Sequence, residues 1–277
     1  MKLIDARALR RGLQDAGGLD LVDASLRVPD CDTLAAWPAL GAQGAEHASR
    51  LLMQRMDRSG LAAAIVTTPI QALISDVLYM VAHAPSRLRA VIPGHPWLDA
   101  GILGDLARRG ATAIAINGGA LAAAGEGAAG TLMRRLAAFG LHLHLTGDDA
   151  ARALPFALGH GVPVMIDHHL HGAVGAESVP DGSARIADYF GHADLWLCLR
   201  VAHEATAGVL ARARAHLRPH PPQRMVWGGG AAGPGAVLSA LSTLIPDGAA
   251  LAGVLGGNAR WLAFGADLDR DTFGDAA

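Results

Sequence analysis

Cysteine is almost absent from this chain. There are two in 277 residues, Cys31 and Cys198, in distant and dissimilar contexts. A disulfide framework is not expected from them, and a zinc cluster built on CxxC pairs is excluded. Charged residues make up only 17% and aromatics 4%. The charges nearly cancel, 23 Lys and Arg against 25 Asp and Glu. That balance gives no basic face for nucleic acid. Mean hydropathy is +0.28, yet no apolar run reaches the roughly 18–20 residues that a membrane-spanning helix needs. The apolar surplus is largely alanine and glycine, spread evenly. The expectation is a soluble protein with no membrane partner. Residues 1–18 carry Lys2, Arg7, Arg10 and Arg11 but no long apolar core, unlike a secretory signal, so a cytoplasmic location is expected. No Gly-x-Gly-x-x-Gly follows the first strand candidate, and a classical dinucleotide site is therefore not indicated.

What is present is alternation. Apolar strand candidates fall at 19–28, 61–68, 88–92, 111–117, 141–146, 162–166, 195–200 and 224–227. Helical spacing separates them at 42–59, 70–84, 98–109, 131–139, 150–160, 183–190 and 204–217, with further helices at 236–244, 250–255 and 258–264. Gly60, Gly110 and Gly140 stand where helices should stop. Residues 118–130 read as a Gly/Ala loop, a lid or a long connection. The strands are apolar throughout, with no polar face, which indicates a parallel sheet covered on both sides. Eight such units in about 250 residues predict an α/β fold, a (β/α)8 TIM barrel. A doubly wound sheet is the structural competitor. One barrel domain is expected over 1–277, with an N-terminal extension at 1–18 and a C-terminal tail at 266–277.

In a barrel the C-terminal strand ends converge on one site. Here they offer Ser25 and Arg27, Thr67 and Thr68, Asn117, the alternating His142, His144 and Thr146, then Asp167-His168-His169, and Arg200 followed by His203 and Glu204. An imidazole beside an acid is a usual general base or metal ligand, which singles out His168, His144 and Asp167. The competing role for each histidine is a hydrogen-bonded structural side chain. His169 and His171 are expected in a loop, and His220, between two prolines, at the surface. Arg27 and Arg200 suit a carboxylate clamp through the guanidinium fork. The alternative for them is a buried pair with Asp23, Asp167 or Glu204. Gly228–Gly230 suits either a backbone anion site or a tight turn.

Several stretches, in order from Leu19 to Phe264, resemble the amidohydrolase-related TIM-barrel family that includes 2-pyrone-4,6-dicarboxylate lactonase. They are LVDASLRV, MDRSGLAAAIVTTP, PSRLRAVIPGHP, LARRGATAIAIN, FGLHLHL, VPVMIDHHLH, RMVWGGGAAGPG and GGNARWLAFG. The resemblance implies a barrel hydrolase for small carboxylated compounds. It places the family's first-strand histidine pair on Ser25 and Arg27, and its late aspartate on Gly230. The family's histidine after the sixth strand is kept at His168, and its seventh-strand Lys-x-Ser falls on Cys198 and Arg200. With those substitutions no metal and no other cofactor is expected. The anticipated activity is metal-independent hydrolysis of a small anionic lactone or carboxylic ester. His168, His144 and Asp167 would be catalytic, and Arg27, Arg200, Asn117, Ser25 and His203 substrate-binding. The alternative is a catalytically degenerate barrel that binds a carboxylated ligand without hydrolysing it. A homo-oligomer is compatible with either.

Overall fold

A computed structural model describes residues 21–27, 41–68, 73–147, 149–170, 186–201, 206–228 and 234–265. The predicted extension at 1–18, the tail at 266–277, Cys31, His171, His203, Glu204 and Gly230 lie outside these residues.

The strands are β1 (Leu21–Arg27), β2 (Leu61–Thr67), β3 (Leu88–Pro93), β4 (Ala111–Asn117), β5 (His142–Thr146), β6 (Val164–Leu170), β7 (Leu195–Val201) and β8 (Met225–Gly228). They form one eight-stranded sheet in sequence order, every neighbouring pair parallel. Gly228 on β8 comes back against Ser25 on β1, so the sheet rolls up into a nearly closed barrel. The helices between strands are α1 (Gly41–Ser59), α2 (Ile74–Ala82), α3 (Ala100–Arg108), α4 (Gly118–Ala138), α5 (Ala150–Ala157) and α6 (Ala207–Leu217). After β8 come α7 (Pro234–Leu244), α8 (Gly248–Ala252) and α9 (Asn258–Phe264). The predicted (β/α)8 barrel is the observed fold, and the doubly wound alternative is set aside.

Alternation along each strand splits the apolar residues into two layers. One set packs under the helices and holds Val66, Ile92, Ile114, Leu143, Ile166 and Leu197. The other fills the barrel and mixes small with large, Ala24, Ala63 and Ala113 with Met165 and Trp196. α9 packs Ala259 and Leu262 onto this inner set, and Thr112 Oγ1 donates to the Ala263 carbonyl at 3.3 Å. The start of the strands is thereby stoppered, and chemistry is left to the other end.

Two expectations need correction. Residues 118–130 are helix, not loop: α4 begins at Gly118. Asn117 caps it, its Oδ1 accepting from Ala120 N–H at 3.1 Å, and the alanine content carries it forward. Glycine leaves only a kink, at Gly125 with φ 80°. The second correction is at β6. Its predicted end was Ile166, but it runs on to Leu170, so Asp167, His168 and His169 lie inside a strand.

Asn258 pins the stopper to the rest of the barrel. Its Nδ2 donates to the carbonyls of Pro222 (2.9 Å) and Met225 (2.7 Å), and the residue is buried. Asn258→Ala should cost about 1–3 kcal/mol by removing the donor from two carbonyls. Urea denaturation measures this; a loss under about 0.5 kcal/mol, the range of ordinary surface substitutions, would show that those bonds hold nothing in place.

Candidate functional site

The extended β6 decides which of its polar side chains enter the barrel. Met165, Asp167 and His169 are in register with Trp196, Cys198 and Arg200. Met165, Trp196 and Cys198 belong to the inner set, so Asp167 shares the inner face. His168 faces the other way. Its ring stacks on His216 of α6, centroids 5.8 Å apart and planes 16° apart. His216 in turn meets the edge of Phe190 at 5.3 Å. The histidine singled out by sequence thus lies in the outer layer, separated by the barrel wall from its predicted partner Asp167. His169 is exposed at the mouth, within the strand rather than in a loop.

His144 is brought into the site. On β5 it follows His142 on the inner face, the two paired with Ala115 and Ala113 of β4. Its Nε2 lies 3.3 Å from Asp167 Oδ1, without the alignment of a hydrogen bond. The Asp167 side chain is 22% exposed and that of His144 only 2%, so Asp167 is the member that meets solvent. Arg200 Nε lies 2.8 Å from Asp167 Oδ2. Its Nη2 donates to Ser25 Oγ, and Ser25 Oγ is 3.0 Å from Thr67 Oγ1. Asp23 Oδ1 accepts from the Ser25 N–H at 2.9 Å. Five strands therefore contribute to one connected polar cluster.

Its electrostatics follow from crowding in a dry interior. Burial pushes the Asp167 carboxyl up, but His144 and then Arg200 outweigh it and hold the group well below the usual carboxylate range. For Arg200, burial opposes the charge, while Cys198, Asp167 and Asp23 together raise its pKa above the ordinary value. Burial, then Asp167, raises the Cys198 thiol well above its ordinary value.

The other predicted residues divide as follows. Arg200 is 5% exposed and takes the predicted pair with Asp167, not an open clamp. Ser25 is fully buried and serves Arg200 and Thr67. Asn117 spends its oxygen as the α4 cap, which explains its presence without a substrate. Arg27 ends β1 in register with Thr67. His220, expected at the surface, is 1% exposed. It folds under Phe190, ring centroids 5.4 Å apart, with Nε2 3.2 Å from the Arg224 carbonyl. Sequence reading undervalued Asp23 and Thr67. The signal for both was polarity in an otherwise apolar strand.

The resemblance implies a divalent ion at these strand ends, and the residues described do not fit one. Arg200 already lies against Asp167 and Ser25. Two unit charges 4 Å apart repel by about 4 kcal/mol at an effective dielectric near 20, and a divalent ion doubles this. Ser25 offers only a hydroxyl that is already engaged. Among the described residues no three His, Cys, Asp or Glu side chains gather as a ligand set.

His142 makes acid sensitivity testable. It is fully enclosed, and burial, then the charge of His144, lower its pKa to about 3. The unfolded chain takes up its proton near the ordinary pKa of 6.5. Between those values the unfolded state binds more protons, so stability falls as pH falls. His142→Leu should shrink the stability lost between pH 7 and pH 5 by about 1–2 kcal/mol, from that linkage. Urea titrations at both pH values measure it, and an unchanged difference would contradict the assignment.

No protein-family model matches this chain, and no curated protein does. Solved structures match across the whole barrel. One is a probable 2-pyrone-4,6-dicarboxylic acid hydrolase from Acinetobacter baumannii with citric acid bound, at TM-score 0.67 and 14% identity, over 89% of this chain and 100% of that one. A protein from Pseudomonas putida assigned the same activity matches at TM-score 0.66 and 19% identity, over 91% and 99%. Amidohydrolase 2 from Bifidobacterium longum subsp. infantis matches at TM-score 0.55 and 17% identity, over 89% and 99%. At such identities the likeness is one of fold, and this chain has the barrel architecture of those proteins.

Proposed function

We propose that the chain is a hydrolase that opens a small anionic lactone or carboxylic ester without a metal ion. The observation that carries this reading is the Asp167–His144 pair at the C-terminal end of the strands, with Asp167 facing solvent and His144 behind it. The barrel likeness to assigned dicarboxylic acid hydrolases supports the reaction class. The citric acid held by one of them supports a carboxylated ligand.

Water is held on Asp167. As its oxygen attacks the substrate carbonyl, its proton passes to the Asp167–His144 pair, which shares it. The ring or ester C–O bond then breaks, and the same proton goes to the leaving oxygen. One water is consumed, and the products are a free hydroxyl and a carboxylic acid that releases its proton to solvent to become the carboxylate. Arg27 at the end of β1, exposed His169 on β6 and His203 beyond β7 would receive the substrate's carboxylate. His168, in this reading, packs α6 and does not touch substrate.

One observation favours a second reading. A carboxyl held well below its usual range is a weak proton acceptor. A barrel that binds a carboxylated ligand without turning it over would have the same cluster.

Turnover of 2-pyrone-4,6-dicarboxylate and of simple dicarboxylate lactones, measured with EDTA present, decides between them. Asp167→Asn should lower kcat by about 10²–10⁴-fold, as loss of a positioned acid–base group does, with KM little changed. His168→Ala should leave kcat within about twofold, since it removes nothing that contacts the transition state. No turnover together with saturable stabilisation by citrate would replace the hydrolase with the binding barrel.

A further inference from the structure

The misfit with a metal ion has a positive counterpart. A fixed cation is already in place. We propose that the Arg200 guanidinium is the resident cation of this barrel. It fixes the Asp167 carboxylate and takes the electrostatic part that a bound ion would otherwise play.

Four observations converge on it. Arg200 is 5% exposed, deep for a guanidinium. Its Nε faces Asp167 at 2.8 Å and its Nη2 donates to Ser25 Oγ, so β6 and β1 both supply acceptors. Ser25 Oγ is itself steadied by Thr67 Oγ1 of β2 at 3.0 Å. The wall is also opened for it. A Cβ on Gly228 would lie 2.7 Å from Cys198 Sγ, 3.0 Å from Ser25 Cβ and 3.6 Å from Arg200 Nη1. Any side chain at 228 would press on the packing around the guanidinium.

The charge count points the same way. Asp23 is 2% exposed and, with Asp167, acts on Arg200 electrostatically. Without the guanidinium, Asp23 and Asp167 would lose the permanent counter-charge that acts on both, and His144 would be left beside Asp167. The titratable groups at this cluster are Asp23 on β1, His142 and His144 on β5, Asp167 and exposed His169 on β6, and Cys198 beside Arg200 on β7. Arg200 is the permanent cation among them. Arg27 stands at the end of β1.

Asp167 meets solvent more than either His144 or Arg200 does. Arg200 therefore acts through it, as a positioning residue. The inference does not rest on hydrolysis, because neither readout below needs turnover.

The test is chemical rescue of Arg200→Ala, with Arg200→Lys as the charge-retaining control. Carbon-13 carboxyl NMR follows Asp167, and thermal melts follow stability. In wild type, Asp167 titrates below its unfolded value, so its contribution is present above about pH 4 and lost below it. In Arg200→Ala the Asp167 pKa should rise from its wild-type position, because the lowering by Arg200 is lost while burial still raises it and His144 still lowers it. The deficit relative to wild type should then be full at neutral pH and shrink as pH falls through the variant's own Asp167 pKa. The relative measure cancels His142, which is common to both proteins. Guanidinium chloride at about 10 mM, far below denaturing levels, should raise the Tm of Arg200→Ala saturably, as a ligand of the native state does. It should return Asp167 to its low titration. Wild type and Arg200→Lys should not respond. If Arg200→Ala does not fold unaided, refolding yield with and without guanidinium is the readout. Recovery with guanidinium supports the proposal. No recovery, or recovery with Mn²⁺ or Zn²⁺ instead, overturns it. An unmoved Asp167 titration in the folded variant, or one tightly held divalent ion per wild-type chain, overturns it as well.

Discussion

The ion pair between Arg200 and Asp167 is the contact around which the inner face of this barrel is arranged. A guanidinium inside a protein wall must be matched, because its desolvation costs several kcal/mol that only close, well-placed acceptors offset. The sequence meets that demand at separate places in the chain. Ser25 puts a hydroxyl on β1, Asp167 a carboxylate on β6, and Gly228 leaves a gap on β8. Such a pair is a poor source of net stability. Its effect is to specify one geometry, since each acceptor suits only one placement of the fork. Alanines lower in the barrel, at 24, 63 and 113, give Met165 and Trp196 room beneath the polar cluster.

The second constraint is the two-residue period of a strand. Asp167, His168 and His169 are consecutive, so they cannot share a face once they are in a strand. Had β6 stopped at Ile166, a loop would have left all three free to turn inward. Its extension to Leu170 fixes the outcome, with Asp167 within reach of His144 and Arg200 and His168 against His216. Extending a strand through a motif thus divides its consecutive members between the inner and outer faces.

That explains what could be read from the sequence. The barrel was legible because eight apolar runs alternate with helical spacing, and each carries its own signal. His144 was legible because β5 alternates His142, His144 and Thr146 along a short strand with clear limits. The pairing of Arg200 was foreseen only as one of two options, since choosing between clamp and ion pair requires the register of β6 against β7. His168 was misplaced for the same reason, as its side depends on a strand end that no local residue marks. His220 was misjudged because flanking prolines indicate a turn but not what covers it; here Phe190 does, from about thirty residues upstream. The α4 helix was hidden by its glycines, whose penalty the Asn117 cap and many alanines outweigh.

These placements enclose two of the histidines away from water. His142 inside the barrel and His220 outside it both have pKa values lowered, to about 3 and about 4, burial being the main cause. At neutral pH both are uncharged, so neither sets the potential at the mouth. Asp167 and Arg200 hold their charge across the range in which histidine ordinarily titrates, the one drawn below the usual carboxylate range and the other raised. The charges of that ion pair are therefore constant near neutrality, while the stability of the barrel is not. Acid acts on the packing around His142 before it neutralises Asp167. An ion pair that keeps its charge throughout that range is suited to holding an anion in fixed geometry. It is less suited to a base that must gain and lose a proton near pH 7, unless His144 shares that proton with Asp167.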